Sequence, residues 1–437
     1  MATVAANINR GGPRNASLLV AGALLAVFLL GLGTRHPQQQ DEDLEGRAPT
    51  AEELRPSVEA AFPDESYAPG ATATLVLFNR ARHVTVRVFH VGPEHIRTYG
   101  YSELQGVPVT ASESIGSVHE GSTVAIRIGD WPSGLYFARL AAADGRVGFA
   151  PFVVRPADLG DHRVAVVLPT LTWQAYNLRD DNGDGKGDSW YAHWNVHTVR
   201  LGRPFLNRGV PYNFRRYDLP FLHWLAWSGH PVDVLSDADL ASAESAQSLA
   251  SAYDLIVFPG HHEYVTSREY ALIEGYRDLG GNLAFLSANN FFWQVVRHGN
   301  VIEKTEQWRD LGQPEAALIG VQYRGNDRGG HRGAWIVRDA GAGSWFFAGT
   351  GLRDGSSFGS GGIEIDKTGP DSPAGVDVLA EIPDIFGPGF TAQMTYYETT
   401  AGAKVFAAGA FRFASAVLGD PVVHRLMGNL WRQLARP

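Results

Sequence analysis

The run Tyr253-Asp254-Leu255-Ile256-Val257-Phe258-Pro259-Gly260-His261-His262-Glu263-Tyr264 decides how the rest of the chain is read. Its apolar stretch, opened by Asp254 and closed by Pro259-Gly260, has the near-continuous hydrophobicity of a buried parallel strand. Two histidines and a glutamate come next, at the carboxyl end, where open α/β sheets keep their chemistry. A helix opening at Ser267-Arg268-Glu269 places the trio on a strand-to-helix turn. Taken alone, the trio reads equally well as an ordinary solvated turn.

Outward from this strand, the pattern repeats. Strands at 163–168, 231–235, 254–258 and 282–287 alternate with helices at 220–229, 241–250 and 268–278. That alternation predicts a doubly wound, parallel α/β sheet over residues 160–437. The order of strand, Pro-Gly turn, helix, Gly-Gly and strand resembles the class I glutamine amidotransferase fold. In that fold a cysteine nucleophile follows the strand corresponding to 282–287. Here the position holds Ala288-Asn289-Asn290, and the chain has no cysteine at all. Thiol amidotransfer, disulfides and thiolate metal sites are therefore excluded.

Residues 57–156 follow another grammar. Short alternating runs such as 73–78, 84–90 and 122–128 are separated by Gly and Pro, which predicts a β-sandwich of immunoglobulin-like type. Its late strand carries Pro132-Ser133-Gly134-Leu135-Tyr136, and a tyrosine so placed ordinarily hydrogen-bonds a corner of the sandwich. Residues 16–33 are an unbroken apolar stretch with Arg10 and Arg14 before it and Asp41-Glu42-Asp43 after it. This orients the N-terminus toward the cytoplasm and exports the remainder. Its length suits a signal peptide or a membrane anchor (residues 1–36), a core helix being the alternative, and 37–56 reads as a linker. With 437 residues, 44% hydrophobic content and a net charge of −9, the chain can build two cores. The acidic balance argues against nucleic acid as a partner.

Between the first α/β strand and its helix lies Asp180-Asp181-Asn182-Gly183-Asp184-Gly185-Lys186-Gly187-Asp188. Asp180, Asn182, Asp184 and Asp188 match calcium-loop positions, but Tyr191 stands where the closing glutamate would be. Calcium binding and a solvated Asp/Gly loop are both open readings. The C-terminal third has strands at 334–337, 362–366, 376–380 and 403–408. A last helix is capped by Asp420-Pro421.

Thr-Trp-Gln-Ala-Tyr-Asn at 172–177, Pro-Gly-His-His-Glu-Tyr at 259–264 and Ser-Ala-Asn-Asn at 287–290 resemble the large subunit of N,N-dimethylformamidase and its relatives. So do Gly-Val-Gln-Tyr at 320–323, Gly-Pro-Asp-Ser-Pro at 369–373 and Met-Thr-Tyr-Tyr-Glu at 394–398, in the same order from about Trp131 onward. The resemblance implies a mononuclear iron held by two tyrosines and a glutamate, carried over to Tyr136, Tyr176 and Glu263. It implies catalytic roles for His261, Asn289 and Glu398, and a sandwich docked rigidly on the α/β part. Phenolates and a carboxylate are hard anionic ligands suited to ferric iron. The implied activity is hydrolysis of a small amide, with His261 moving the proton and Asn289 facing the oxyanion. The family continues after Ala-Tyr-Asn through Gly-Gly and Ser-Leu-Tyr, whereas here the Asp/Gly insertion precedes Asp188-Ser189-Trp190-Tyr191. The substrate, a homo-oligomeric state and a counterpart to the enzyme's small subunit stay open. The competing reading is an exported module that binds a carbohydrate or small ligand by stacking on Trp190, Trp194 and Trp224.

Overall fold

The computed structural model describes residues 47–95, 103–193 and 195–435. The apolar segment 16–33 and Trp194 lie outside them. Among the described residues no helix is long and apolar enough to cross a membrane.

An eleven-stranded sheet runs through the larger part of the chain. Asp233–Ser236, Val164–Leu168, Leu255–Phe258, Asn282–Phe285 and Lys404–Ala407 lie side by side and parallel. Val164–Leu168 and Leu255–Phe258 are buried on both faces, so each is apolar throughout instead of alternating. Val164, Val166, Leu255 and Val257 pack one face beside Phe221, Trp224 and the helix Pro421–Leu434. Ala165, Val167, Ile256 and Phe258 pack the other beside Tyr270, Ile273 and Tyr276 of the helix Ser267–Asp278. Beyond Lys404–Ala407 the sheet turns antiparallel through Ala392–Glu398, Asp377–Ile382, Arg332–Val337, Ser357–Lys367 and Gln322–Asn326.

Two elements depart from the alternation expected. The segment 241–250 is split between the helices Asp237–Ser242 and Ala246–Ala252, each opened by a serine capping box. The chain after Glu263 does not enter its helix directly. It first forms the short strand Tyr264–Thr266, which pairs with Trp293–His298 in a separate four-stranded sheet.

Residues 60–154 form two further sheets, one of three strands and one of six. In Thr72–Leu77, Ala73, Leu75 and Leu77 point to a common core while their neighbours face outward. The strand Gly134–Ala141 is buried on both sides. Tyr136, Ala138 and Leu140 enter the core shared by the two sheets, and Leu135 and Phe137 enter the core of the α/β part. The described residues belong to one unit, 44–437. Residues 47–56, expected to be a linker, pack instead: the Arg47 amide donates to the Tyr191 carbonyl at 2.9 Å and the Asn207 amide to the Glu53 carbonyl at 2.8 Å.

Asp233–Ser236 is the last strand at its end of the large sheet, and an edge strand exposes unpaired amides. Ser133 closes this one, because the Val234 amide donates to its hydroxyl at 2.7 Å while that hydroxyl donates to the Val154 carbonyl at 3.1 Å. One side chain thus ties the six-stranded sheet to the large one. Ser133→Ala leaves a buried amide without a partner and is expected to lower the unfolding free energy by about 1–3 kcal/mol in a denaturant titration. An unchanged midpoint would show that the bridge contributes nothing.

Candidate active site

Glu263 leaves the carboxyl end of the strand Leu255–Phe258 by way of Pro259-Gly260 and is only 2% exposed. Its backbone is fixed on both sides. The Glu263 carbonyl accepts from the amides of Phe292 and Trp293 at 3.0 and 2.9 Å, and the His262 amide donates to Asn290 Oδ1 at 3.3 Å. Gly260 has no room for a side chain, since a Cβ there would lie 2.0 Å from Asp218 Oδ1. The two histidines diverge. His262 is fully buried with Nε2 3.4 Å from Asp237 Oδ1, and His261 turns into the pocket.

Two phenols converge on one oxygen of Glu263. Tyr176, at the end of the helix Thr170–Ala175, donates to Oε2 at 2.7 Å, and Tyr191 donates to the same atom at 3.0 Å. Their rings stack at 4.1 Å, and the Tyr191 hydroxyl also meets that of Tyr264. Burial first, and the Glu263 charge second, push both phenols well above their ordinary range. Each is therefore a proton donor to the carboxylate unless a cation takes the place of the protons.

His261 Nε2 stands 3.5 Å from Glu263 Oε2 and 3.4 Å from Glu364 Oε2, buried and without a hydrogen bond. Burial, reinforced by His262, pushes this imidazole down to about 3, so it is neutral. Glu364 comes from the antiparallel part of the sheet, on the strand Ser357–Lys367. The pocket over these groups encloses about 430 Å³ and is walled by Tyr212, Tyr217 and Phe411, with Asp218 beneath.

A family model described as N,N-dimethylformamidase beta subunit-like, C-terminal, matches residues 97–421. The chain belongs to this family. The N,N-dimethylformamidase beta subunit of Paracoccus aminophilus is 29% identical over 165 residues, 37% of this chain and 21% of that protein. The beta subunit from an Alcaligenes species is 28% identical over 165 residues, with the same shares. This family member thus matches about a fifth of the length of those relatives, 21% in each case. Among solved structures, a superoxide reductase (neelaredoxin) from Ignicoccus hospitalis aligns with a TM-score of 0.15 and 10% identity. It covers 23% of this chain and 78% of that one, and so low a score carries no argument.

Of the residues that the motifs of the dimethylformamidase beta-subunit family single out, the structure brings Tyr176, His261 and Glu263 together. Tyr136 is elsewhere. It stacks with His90, Trp131 and Phe152 in the core of the two smaller sheets, and its hydroxyl donates to the Pro132 carbonyl at 2.8 Å. Asn289 lies behind the turn with its amide on Asp366 Oδ1 at 2.9 Å, outside the pocket wall. Glu398 is exposed and accepts from Tyr396. Tyr191 and Glu364 stand beside Glu263 and His261, and sequence reasoning names neither for the site. In the sequence Tyr191 registers as the missing glutamate of a calcium loop and as the end of the Ser189-Trp190-Tyr191 run, not as a site residue. Glu364 and Asp366 alternate with Ile363 and Ile365, and two acids on one face of a buried strand are a signal that could have been read.

In the Asp/Gly loop most side-chain oxygens serve the loop itself, while Asp181 pairs with Arg179, Arg200 and Arg203 outside it. Asp180 accepts from the amides of Gly183 and Gly185 at 2.7 and 2.8 Å, and Asp188 from the Asp181 amide at 2.6 Å. Among the described residues no group of three or more histidines and acids is placed to hold a metal. Among the described residues, the tryptophans supposed to form a stacking surface are buried. Trp190 and Trp224 are 4% and 2% exposed and sit in different cores.

Asp218 adds a pH-dependent feature to the site. Its Oδ1 is buried without a partner, and burial raises the carboxyl to about 8 against the pull of the Trp173 side chain. The folded state therefore keeps a proton that the unfolded chain releases near pH 4. Stability is fully present below that point and is lost as pH rises toward 8, by up to about 1.4 kcal/mol per unit. Asp218→Asn should match wild type in melting temperature near pH 4 and exceed it increasingly toward pH 8. A constant difference across that range would place the carboxyl's titration elsewhere.

Proposed function

We propose that this protein is an iron-dependent hydrolase of a small amide, acting as its dimethylformamidase relatives are named to act. The observation that carries the reading is two phenols meeting on one buried carboxylate oxygen beside a neutral, unbonded imidazole. Oxygen donors of this kind fit a hard, highly charged cation, and binding one would relieve the burden of a buried carboxylate. Tyr176, Tyr191 and Glu263 would hold it. A ferric ion, when bound, supplies Lewis acidity to the amide carbonyl and acidifies water.

The chain's own groups would do the remainder. Burial keeps His261 unprotonated, so Nε2 can accept the proton released as water adds to the carbonyl carbon. Glu364, 3.4 Å away, would hold the imidazolium formed. The same nitrogen would return the proton to the departing amine as the C–N bond breaks, leaving a carboxylic acid and an amine. Tyr217, Phe411 and the buried Asp218 carboxyl would limit water around the reacting bond. The relatives are named as beta subunits, and a second kind of subunit is proposed on that footing alone.

Protein prepared with iron should contain it in stoichiometric amount and be coloured by phenolate-to-iron charge transfer. Tyr176→Phe and Tyr191→Phe should each lose metal and colour with the fold retained by circular dichroism, while Tyr136→Phe keeps both. His261→Ala should keep the metal and lose roughly 10²–10⁴-fold in amide turnover. Colourless, metal-free wild type, or full metal retention in Tyr191→Phe, would overturn the assignment.

A further inference from the structure

The walls of the pocket carry a charge that the smallest amides have no use for. Arg47, Arg216, Arg328 and Arg332 all line it, from separate segments: the stretch before residue 57, the helix Phe214–Tyr217 and the turn between Gln322–Asn326 and Arg332–Val337. Arg216, Arg328 and Arg332 are exposed, whereas the acids of the lining, Asp218 and Glu364, are 2% and 7% exposed. The arginines therefore form a rim and the acids a floor. Arg47 is ion-paired to Glu53 at 2.6 Å and lies over the Tyr212 ring at 4.4 Å, so part of its charge is answered. The Arg332 guanidinium makes no ion pair or hydrogen bond among the described residues.

This rim belongs to a protein whose formal net charge is −9. The surface at large repels anions, and a concave mouth lined by guanidinium groups is a local exception that focuses them. The volume points the same way. About 430 Å³ falls in the range, ~300–1,000 Å³, of pockets that bury ligands well beyond the size of a dialkylformamide. Guanidinium groups also suit carboxylates in particular, because their paired N–H donors match the two oxygens.

We propose that the substrate is an amide bearing a carboxylate, with the amide bond on the floor beside His261 and the carboxylate on the Arg216–Arg328–Arg332 rim. The inference rests on the amide-hydrolase reading for the reacting bond and on the rim for the charge. The carboxylate could belong to the amine half, as in an N-acyl amino acid, or to the acyl half, as in a dicarboxylic monoamide. Both present the same anion to the rim.

Equilibrium binding to the full chain by calorimetry separates the cases without requiring turnover. N-acetylglycine is compared with N-acetylglycinamide, and succinamate with succinamide. At least one anion should bind about tenfold or more tightly than its neutral counterpart at low salt, the worth of one charge-assisted hydrogen bond. The preference should shrink as salt screens the exposed rim. Arg332→Gln should cut the preference about tenfold, and Arg332→Lys, which keeps the charge but loses the paired donors, should retain only part of it. Neutral amides that bind as well as their anions in both pairs, or a preference indifferent to salt, overturn the inference whatever the metal content proves to be. Conversely, preferential anion binding by an iron-loaded protein that cleaves no amide supports the rim and sinks the hydrolase reading.

Discussion

Glu263 keeps a carboxylate at 2% exposure, and a carboxylate withdrawn from water persists only where donors or cations answer its charge. Much of the surrounding structure serves that requirement. The helix Thr170–Ala175 ends where Tyr176 can reach the carboxylate, and the Asp/Gly loop returns so that Tyr191 reaches the same oxygen. Two amides from the neighbouring crossover hold the Glu263 carbonyl and so fix the backbone from which the side chain projects. Raising both phenols above their usual range is a consequence of the same burial. The arrangement creates a demand for positive charge at one point, and that demand underlies the proposed chemistry.

Strand parity decides which side chains can join the cluster. Gly134–Ala141 is buried on both faces, so its residues divide strictly between two cores. Tyr136 shares its side with Ala138 and Leu140, and bringing it to Glu263 would require a one-residue slip that buries Leu135 and Phe137 on the wrong face. The same rule explains Glu364 and Asp366. Both project from one side of Ser357–Lys367, one reaching His261 and the other receiving the Asn289 amide. The Asn289 backbone amide thereby holds the turn, and the side chain of its neighbour Asn290 holds the His262 amide.

Much of this was legible in the chain, and the limits have physical causes. The apolar run before Pro259-Gly260 announced a buried strand, and the trio after it announced a site, because both signals are local. Tyr176 and Glu263 could be named from motif order. Parity in a strand buried on both faces could not be read, since every residue from Gly134 to Ala138 is apolar and no alternation marks the side. Glu364 was hidden because its partner His261 is about a hundred residues earlier, on a strand of the other orientation. The four-stranded sheet containing Tyr264–Thr266 was missed because three residues are too few to show a period.

The loop 180–188 is where the chain departs most from its family's motif, yet its structure makes it a bracket for the site instead of an interruption. Asp180 and Asp188 close on the loop's own amides, while Asp181 ties the loop to Arg179, Arg200 and the buried Arg203. Its two ends meet, the Asp188 amide donating to the Arg179 carbonyl at 2.8 Å, and Ser189 then donates to the Ala175 carbonyl at 2.6 Å. That hydroxyl therefore satisfies an orphan carbonyl at the end of the very helix that presents Tyr176. Two residues later the chain delivers Tyr191 against the Tyr176 ring. A loop whose ends coincide adds length without displacing the residues after it, so Ser189-Trp190-Tyr191 come back beside the helix that carries Tyr176. The two phenols on Glu263 are thus positioned by one closed segment, and changes within the loop's tip should leave their spacing intact as long as Asp188 and Ser189 hold its base.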